Sequence, residues 1–213
     1  AKLTLAASET VTTEGGAMIA MSDDMQVETS IRKRDGGGLL KGMMRALGGE
    51  RMFLNYYTAG TRGGELYLAS PVPGDMESVE LPAGSGITVQ SGSFVAHEST
   101  VSMDVSWGGL KSAFGGERMI WLKLTGGGRV VINAFGAIYP VKVNGSYVVD
   151  TGNIAAFENT LDFSITKAAR TLVGSFAGGE GLVATFSGVG TVYCQTHADR
   201  IFGAKLTPHL TPK

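Results

Sequence analysis

One short sequence pattern occurs three times along the chain, and this repeat constrains the fold more than any other feature. A glycine is followed four residues later by an alanine in each copy, as Gly16 with Ala20, Gly92 with Ala96, and Gly152 with Ala156. A Gly-Gly-Glu triplet comes after each pattern. Because a repeat of this length cannot bury both of its faces alone, the copies should pack together. We therefore expect a single domain, 1–213, with three repeats at about 9–80, 86–143 and 146–206.

Runs of β-branched and aromatic residues, interrupted by glycines, follow each triplet. The second copy has such runs at 119–124 and 130–132 around the glycines 126–128. The third has 182–186 and 191–193 around 188–190, and the first has 52–57 and 66–68 around 60–64. This alternation is typical of strands joined by tight turns. It predicts an all-β chain with a hairpin in each repeat.

Helices should be few and short. Apolar residues at 40, 43, 44 and 47 have helical spacing, and Gly48 follows as a stop signal, so the segment 39–47 is predicted to be a short helix. The tail from 202 to 213 has two prolines and little pattern, which predicts a loose terminus.

Composition excludes several classes of protein. The net charge of −1 lacks the basic excess of nucleic-acid binders. Cys194 is the only cysteine, so no intrachain disulfide can form, which fits a reducing compartment. No apolar run is long enough to span a membrane, and the first seven residues are too short to read as a signal peptide. These observations favour a soluble cytoplasmic protein.

Catalytic patterns are absent from the sequence. There is no Gly-x-Ser-x-Gly motif, and no His or Cys spacing typical of a metal site. His97, next to Glu98, is interpreted as a surface histidine, and Cys194, in an apolar run, as a core cysteine. We therefore expect no enzyme activity and predict no catalytic residue, metal or cofactor.

The Gly-Gly-Glu triplets have two interpretations. In the structural one, the glycines Gly49, Gly116 and Gly179 permit a turn or bulge, and the glutamates accept backbone hydrogen bonds where a strand begins. In the functional one, the glutamates converge and hold a cation or a polar ligand. The structural interpretation is favoured, because buried polar groups are usually hydrogen-bonded within the protein. The glutamates are Glu50, Glu117 and Glu180.

A basic segment precedes the first triplet and could contact a partner or an anionic membrane surface. The simpler interpretation is that its charges face water while the apolar residues of 39–47 pack on the β core. That interpretation is preferred, since Asp35 interrupts the charges. The basic residues are Arg32, Lys33, Arg34, Lys41 and Arg45.

Several motifs resemble those of a known family. The most recognisable covers 36–42 and 47–50, and others are 53–55, 73–75, 89–92 and 149–152. They resemble the altered-inheritance-of-mitochondria protein 24 family, in a superfamily named for the tryptophan RNA-binding attenuator protein. The resemblance covers about residues 3–205. It implies three β repeats of a double-stranded β-helix or attenuator-protein-like type packed with pseudo-threefold symmetry, and an oligomer. It implies no catalytic residues.

These inferences lead to an expected function. We expect a non-enzymatic structural or interaction protein that acts as an oligomeric β scaffold, as a trimer or another small ring. The alternative is a small-ligand binding module with a pocket in the β fold. RNA binding and membrane association rank below both, since no basic and aromatic stripe is present and the basic segment is short.

Overall fold

The computed structural model describes residues 1–30, 53–106, 120–167 and 182–210, and most of these residues are in β-strands. The all-β prediction is confirmed for them. The predicted helix at 39–47 lies outside the described residues. The strands and the helix are β1 (Lys2–Leu5), β2 (Thr10–Glu14), β3 (Met18–Met21), β4 (Gln26–Ser30), β5 (Leu54–Thr58), β6 (Gly64–Leu68), β7 (Met76–Gln90), β8 (Phe94–Glu98), β9 (Val101–Ser106), β10 (Trp121–Asn133), β11 (Ile138–Asp150), β12 (Ile154–Glu158), β13 (Leu161–Lys167), β14 (Leu182–Gln195) and α1 (Asp199–Leu206).

The contacts divide the chain into two compact units. Unit 1 comprises Ala1–Pro71 and Met76–Asn133, and unit 2 comprises Val72–Asp75 and Ala134–Lys213. The expectation of one domain with three repeats stays a prediction.

Unit 1 contains one three-stranded sheet and a second set of paired strands. In the three-stranded sheet β6 lies between β1 and β3. Elsewhere in the unit β5 pairs with β2 and β4, and β2 also pairs with β8. The long strand β10 pairs with β7, β8 and β9. All of these pairings are antiparallel. β7 lies along both halves of β10, whereas the other edge of β10 pairs with β9 in the first half and with β8 in the second half.

In unit 2 the strand β14 takes the central place. It pairs antiparallel with β11 along thirteen residues. Its other edge pairs with β13 in the first half and with β12 in the second half. The helix α1 follows β14, and the ring of its Phe202 packs edge-on against Phe135 at 5.1 Å between ring centroids. The prediction of a loose terminus was therefore wrong for residues 202–206, because they belong to α1 and an aromatic contact holds this helix. Residues 211–213 lie outside the described residues.

The predicted hairpins do not form. Residues 121–133 are one strand, β10, which passes through the glycines 126–128 with only a register shift. Residues 182–195 are likewise one strand, and in the first copy β5 and β6 pair with different strands. Gly126 and Gly128 have φ of +143° and +147°, and Gly188 has +116°. The glycines therefore let a long strand bend between two sets of neighbours, where the sequence suggested a reversal.

The core of unit 1 is formed by the faces that the strands turn inward. Leu66 and Leu68 of β6 pack with Val11 of β2, Ala96 of β8 and Val131 of β10. All five side chains are buried, and Leu66 is completely inaccessible. This cluster brings the three-stranded sheet against β2, β8 and β10, and it forms the floor of the surface groove described next.

Candidate functional site

The site residues predicted from the sequence lie outside the described residues. This applies to every Gly-Gly-Glu triplet and to the whole basic segment, so those predictions stay predictions. The residues concerned are Gly49, Glu50, Gly116, Glu117, Gly179, Glu180, Arg32, Lys33, Arg34, Lys41 and Arg45.

A groove of about 470 Å³ lies in unit 1, along β1 and the faces of β2, β7, β8 and β10. Its apolar lining is continuous with the core, because Leu3 and Leu5 of β1 reach the same cluster as Val11 and Val131. Met76 of β7 extends this apolar surface. The groove therefore offers an apolar floor near the surface, which suits a small ligand with hydrocarbon or aromatic groups.

Charged side chains surround the floor, and two of the carboxylates already bind backbone groups. Glu98 accepts a hydrogen bond from the backbone N–H of Arg129 at 3.1 Å. Glu9 accepts one from the backbone N–H of Ala6 at 2.7 Å. Lys2, Glu77 and Arg129 are the other charged side chains in the lining apart from His97. These charges hold the surrounding backbone in place and could also orient a polar group of a ligand.

His97 borders the groove but faces away from it. In the paired strands it lies opposite Thr12 and Val130, whereas Ala96 lies opposite Thr13 and Val131. Since successive residues of a strand point to opposite faces, the His97 ring is on the side opposite the groove floor.

The interpretation of His97 as a surface histidine was wrong, because its side chain is only 7% exposed. The ring packs 5.9 Å from that of Phe94, and Nδ1 is 2.8 Å from the carbonyl oxygen of Glu98. Burial lowers the pKa of His97, so a neutral ring that donates from Nδ1 fits this environment. Cys194 is half-buried in β14, and burial raises the pKa of its thiol.

A side-chain to backbone hydrogen bond occurs three times at equivalent positions, and sequence analysis missed it. Ser22, Glu98 and Glu158 each lie six residues after the aligned glycines of the repeat. Each accepts a hydrogen bond from a backbone N–H of a later strand: Ser22 from Glu65 at 2.8 Å, Glu98 from Arg129 at 3.1 Å, and Glu158 from Thr191 at 3.2 Å. Each bond connects the turn between two strands to a later strand, which is β6, β10 or β14.

A sequence signal for this contact was available. Glu98 and Glu158 are each followed two residues later by a threonine, Thr100 and Thr160. A Cβ added at Gly128 would contact the hydroxyl oxygen of Thr100. A Cβ added at Gly190 would lie 2.6 Å from the hydroxyl oxygen of Thr160. In both copies the Glu-x-Thr turn therefore packs closely against a glycine of a later strand, where a side chain would not fit.

Glu14, at the end of β2, has an unusual carboxyl group. It is half-buried, and burial raises its pKa to about 7. The pKa in the unfolded chain stays near 4.5, so the folded protein binds the proton more tightly. The stability that comes from protonated Glu14 is complete below pH 4.5 and is lost as the pH rises toward about 7.

Replacement of Glu14 by glutamine should remove this dependence. We expect Glu14→Gln to melt at a higher temperature than the wild type at about pH 8, with the difference shrinking toward the pKa of 4.5 in the unfolded chain. Thermal unfolding followed by circular dichroism across this range measures the difference. The comparison of the two proteins isolates Glu14, because the lowered pKa of His97 acts with the opposite sign and is common to both. Glu80→Gln, at an exposed position, is the control, and an equal effect there would contradict the assignment.

Neither a metal site nor a membrane span is found in the part of the chain that is described. No three His, Cys, Asp or Glu side chains come together there in an arrangement that could hold a metal ion. Among the helices in the same ranges, none is long and apolar enough to cross a bilayer.

Comparison with known proteins finds similar proteins in Streptococcus pyogenes. An uncharacterized protein of Streptococcus pyogenes serotype M6 is 27% identical over 189 residues, which are 85% of this chain and 74% of that protein. A crystal structure of another Streptococcus pyogenes protein matches with a TM-score of 0.80 at 23% identity, covering 98% of this chain and 93% of that one, and it shows the same fold. The sequence profile described as Mitochondrial biogenesis AIM24 matches residues 1–197. Since this match spans nearly the whole sequence, the chain belongs to the Mitochondrial biogenesis AIM24 family.

Proposed function

We propose that this chain is a non-enzymatic structural or interaction protein that works as a homo-oligomeric β scaffold, a trimer or another small ring. The observation that carries the proposal is the exposed apolar strand β3, whose Met18, Ile19 and Met21 side chains are 38%, 65% and 37% exposed. Exposed apolar residues on a strand at a sheet edge are unfavourable in water and commonly mark a surface that another chain covers.

The proposal includes three β repeats of the type that the family resemblance implies. In the second copy β7, β8 and β9 all pair with β10, and in the third β11, β12 and β13 all pair with β14. In the first copy β1 and β3 pair with β6, while β2 and β4 pair with β5. The first copy follows the same order if β1 and β2 together correspond to β7, and β5 and β6 together correspond to β10. The three equivalent hydrogen bonds of Ser22, Glu98 and Glu158 add to this argument.

Light scattering of the purified protein at micromolar concentration tests the scaffold. We expect a mass of three chains or of a small ring. A single-chain mass at this concentration would contradict the proposal.

We place the scaffold in the cytoplasm, because the single cysteine leaves no intrachain disulfide that an oxidising compartment would supply.

The second candidate is a small-ligand binding module, which the groove beside β1 favours. Its apolar floor suits an amphipathic molecule, and the anionic dye anilinonaphthalene sulfonate is a convenient probe. We expect dye fluorescence in the wild type to be lost in Leu3→Glu, which places a charge of the same sign as the dye on the floor, and to be kept in Leu210→Glu, at a position that is 65% exposed and does not line the groove. Equal binding to both variants would exclude the groove as the site. RNA binding and membrane association rank below both candidates.

A further inference from the structure

Unit 1 contains a junction between two successive repeats. Strand β2 of the first copy pairs antiparallel with β8 of the second, with Val11 opposite Glu98, Thr12 opposite His97 and Thr13 opposite Ala96. Both strands are covered at this junction, since residues 11–13 and 94–97 are all buried. The junction shows how one repeat pairs with the next. The strand before the aligned glycine of one copy, β2 before Gly16, pairs with the strand after the aligned glycine of the following copy, β8 after Gly92.

Two strands with the same positions in the repeat have no such partner. Counted from the aligned glycines, β3 takes the place of β8, and residues 146–150 of β11 take the place of β2. Within the described ranges β3 pairs only with β6, and β11 pairs only with β14. Each therefore keeps one free edge of backbone donors and acceptors.

Apolar side chains are exposed along both free edges. Ile19 is 65% exposed, while Val95, its counterpart in β8, is 1% exposed. Tyr147 and Val148 are 47% and 55% exposed, while their counterparts Val11 and Thr12 are 3% and 6% exposed. Apart from Val149, which is buried as its counterpart Thr13 is, the positions that are buried at the internal junction are thus exposed at these two edges.

We infer that a second copy of this chain supplies the missing partner, so that β11 of one molecule pairs antiparallel with β3 of the next. The inference rests on the proposed scaffold and names its interface. The internal junction fixes the register, which places Val148 opposite Met21, Val149 opposite Ala20 and Tyr147 opposite Ser22. Because the two edges differ, the contact is head-to-tail, and it generates a ring when the rotation between molecules closes.

A disulfide test reads this register directly. Cys194→Ala removes the native thiol, and Met21→Cys and Val148→Cys are then made in separate chains that are co-expressed. Opposite residues of antiparallel strands have Cβ atoms about 4.5–5.5 Å apart, close to the distance that a disulfide needs. We expect mild oxidation to give a covalent dimer of the two chains on a non-reducing gel. Tyr147→Cys with Met21→Cys is the control, because these side chains point to opposite faces, and its yield should be at least about tenfold lower.

Two results would overturn the inference. One is the absence of a dimer in the mixture of Met21→Cys and Val148→Cys chains. The other is a compact single-chain product when both substitutions are placed in one chain, which would show that the two edges pair within the molecule. If light scattering shows an oligomer but the cross-link fails, only the interface is wrong. If the wild type is monomeric, the proposed scaffold is wrong as well.

A charge at the β3 edge gives an independent measurement. Ile19→Lys puts a charge on an apolar side chain that the pairing would bury, as Val95 is buried at the internal junction, and we expect the mass from light scattering to fall to that of one chain. Leu210→Lys changes a side chain with the same 65% exposure in the C-terminal segment, and it should leave the mass unchanged. Circular dichroism confirms that both variants are folded. An unchanged oligomer in Ile19→Lys would contradict the inference.

Discussion

Replacement of Gly126 by alanine is expected to lower the free energy of unfolding by about 3 kcal/mol or more, since backbone strain and overpacking each cost about 1–3 kcal/mol. Gly126 has φ of +143°, a conformation that residues with a Cβ rarely adopt. A Cβ there would also contact the carbonyl oxygen of Thr100 and lie 3.1 Å from the Cα of Val101. Both obstacles are backbone atoms, so the site cannot adapt by moving a side chain.

Gly84→Ala separates the two causes. Gly84 also has positive φ, +80°, but nothing lies within 4 Å of the place of its Cβ. That variant should lose only about 1 kcal/mol, the cost of a left-handed conformation. Urea unfolding of both variants gives the two free energies. Equal losses would show that the contact of an added Cβ with the backbone at Thr100 and Val101 does not add to the cost.

Truncation of Phe186 to alanine should cost about 3–5 kcal/mol, as for other large aromatic residues in cores. Phe186 is in β14 and is completely buried. Its ring lies 5.1 Å from that of Phe157 and 6.0 Å from that of Phe163. Because strands surround this cluster, the cavity cannot collapse easily, and the lost contacts between rings add to the lost burial. Chemical denaturation at constant pH measures the effect.

Two controls show whether burial is the cause. Phe186→Leu keeps most of the volume and should cost about 1 kcal/mol. Tyr139→Ala removes another aromatic ring, but one that is 60% exposed, and it should change stability by no more than about 0.5 kcal/mol. A large loss in Tyr139→Ala would mean that this part of β11 is covered by a partner, which the light-scattering measurement would then reveal.

The β class could be predicted from the sequence because Val, Ile, Thr and aromatic residues fill the strands. The positions of the glycines were predicted to be turns, and the structure places them inside β10 and β14. A glycine in a run of β residues signals either a turn or a bend, and only the pairing of β10 with β7 along both halves decides between them. The burial of His97 was missed for a similar reason, because a polar residue beside Glu98 gives no sign of the strands on either side.

The groove could not be predicted, since its lining comes from five strands that are far apart in sequence. Leu3, Val11, Met76 and Val131 meet only because β1 and β10 lie against the same core. The contacts of Glu98 and Glu158 are different, since the repeated Glu-x-Thr and the later glycines are visible in the sequence. An alignment of the repeats over their whole length, and not only at the Gly-Gly-Glu triplets, would have identified Glu98 and Glu158.

The continuity of β10 has a consequence for how unit 1 opens. This strand shares hydrogen bonds with β7 over most of its length and with β9 and β8 on its other edge. Exchange of all of its amide protons with solvent therefore requires separation from three neighbouring strands. The amides of β10 should be the slowest of the unit to exchange, and their exchange should report its global unfolding.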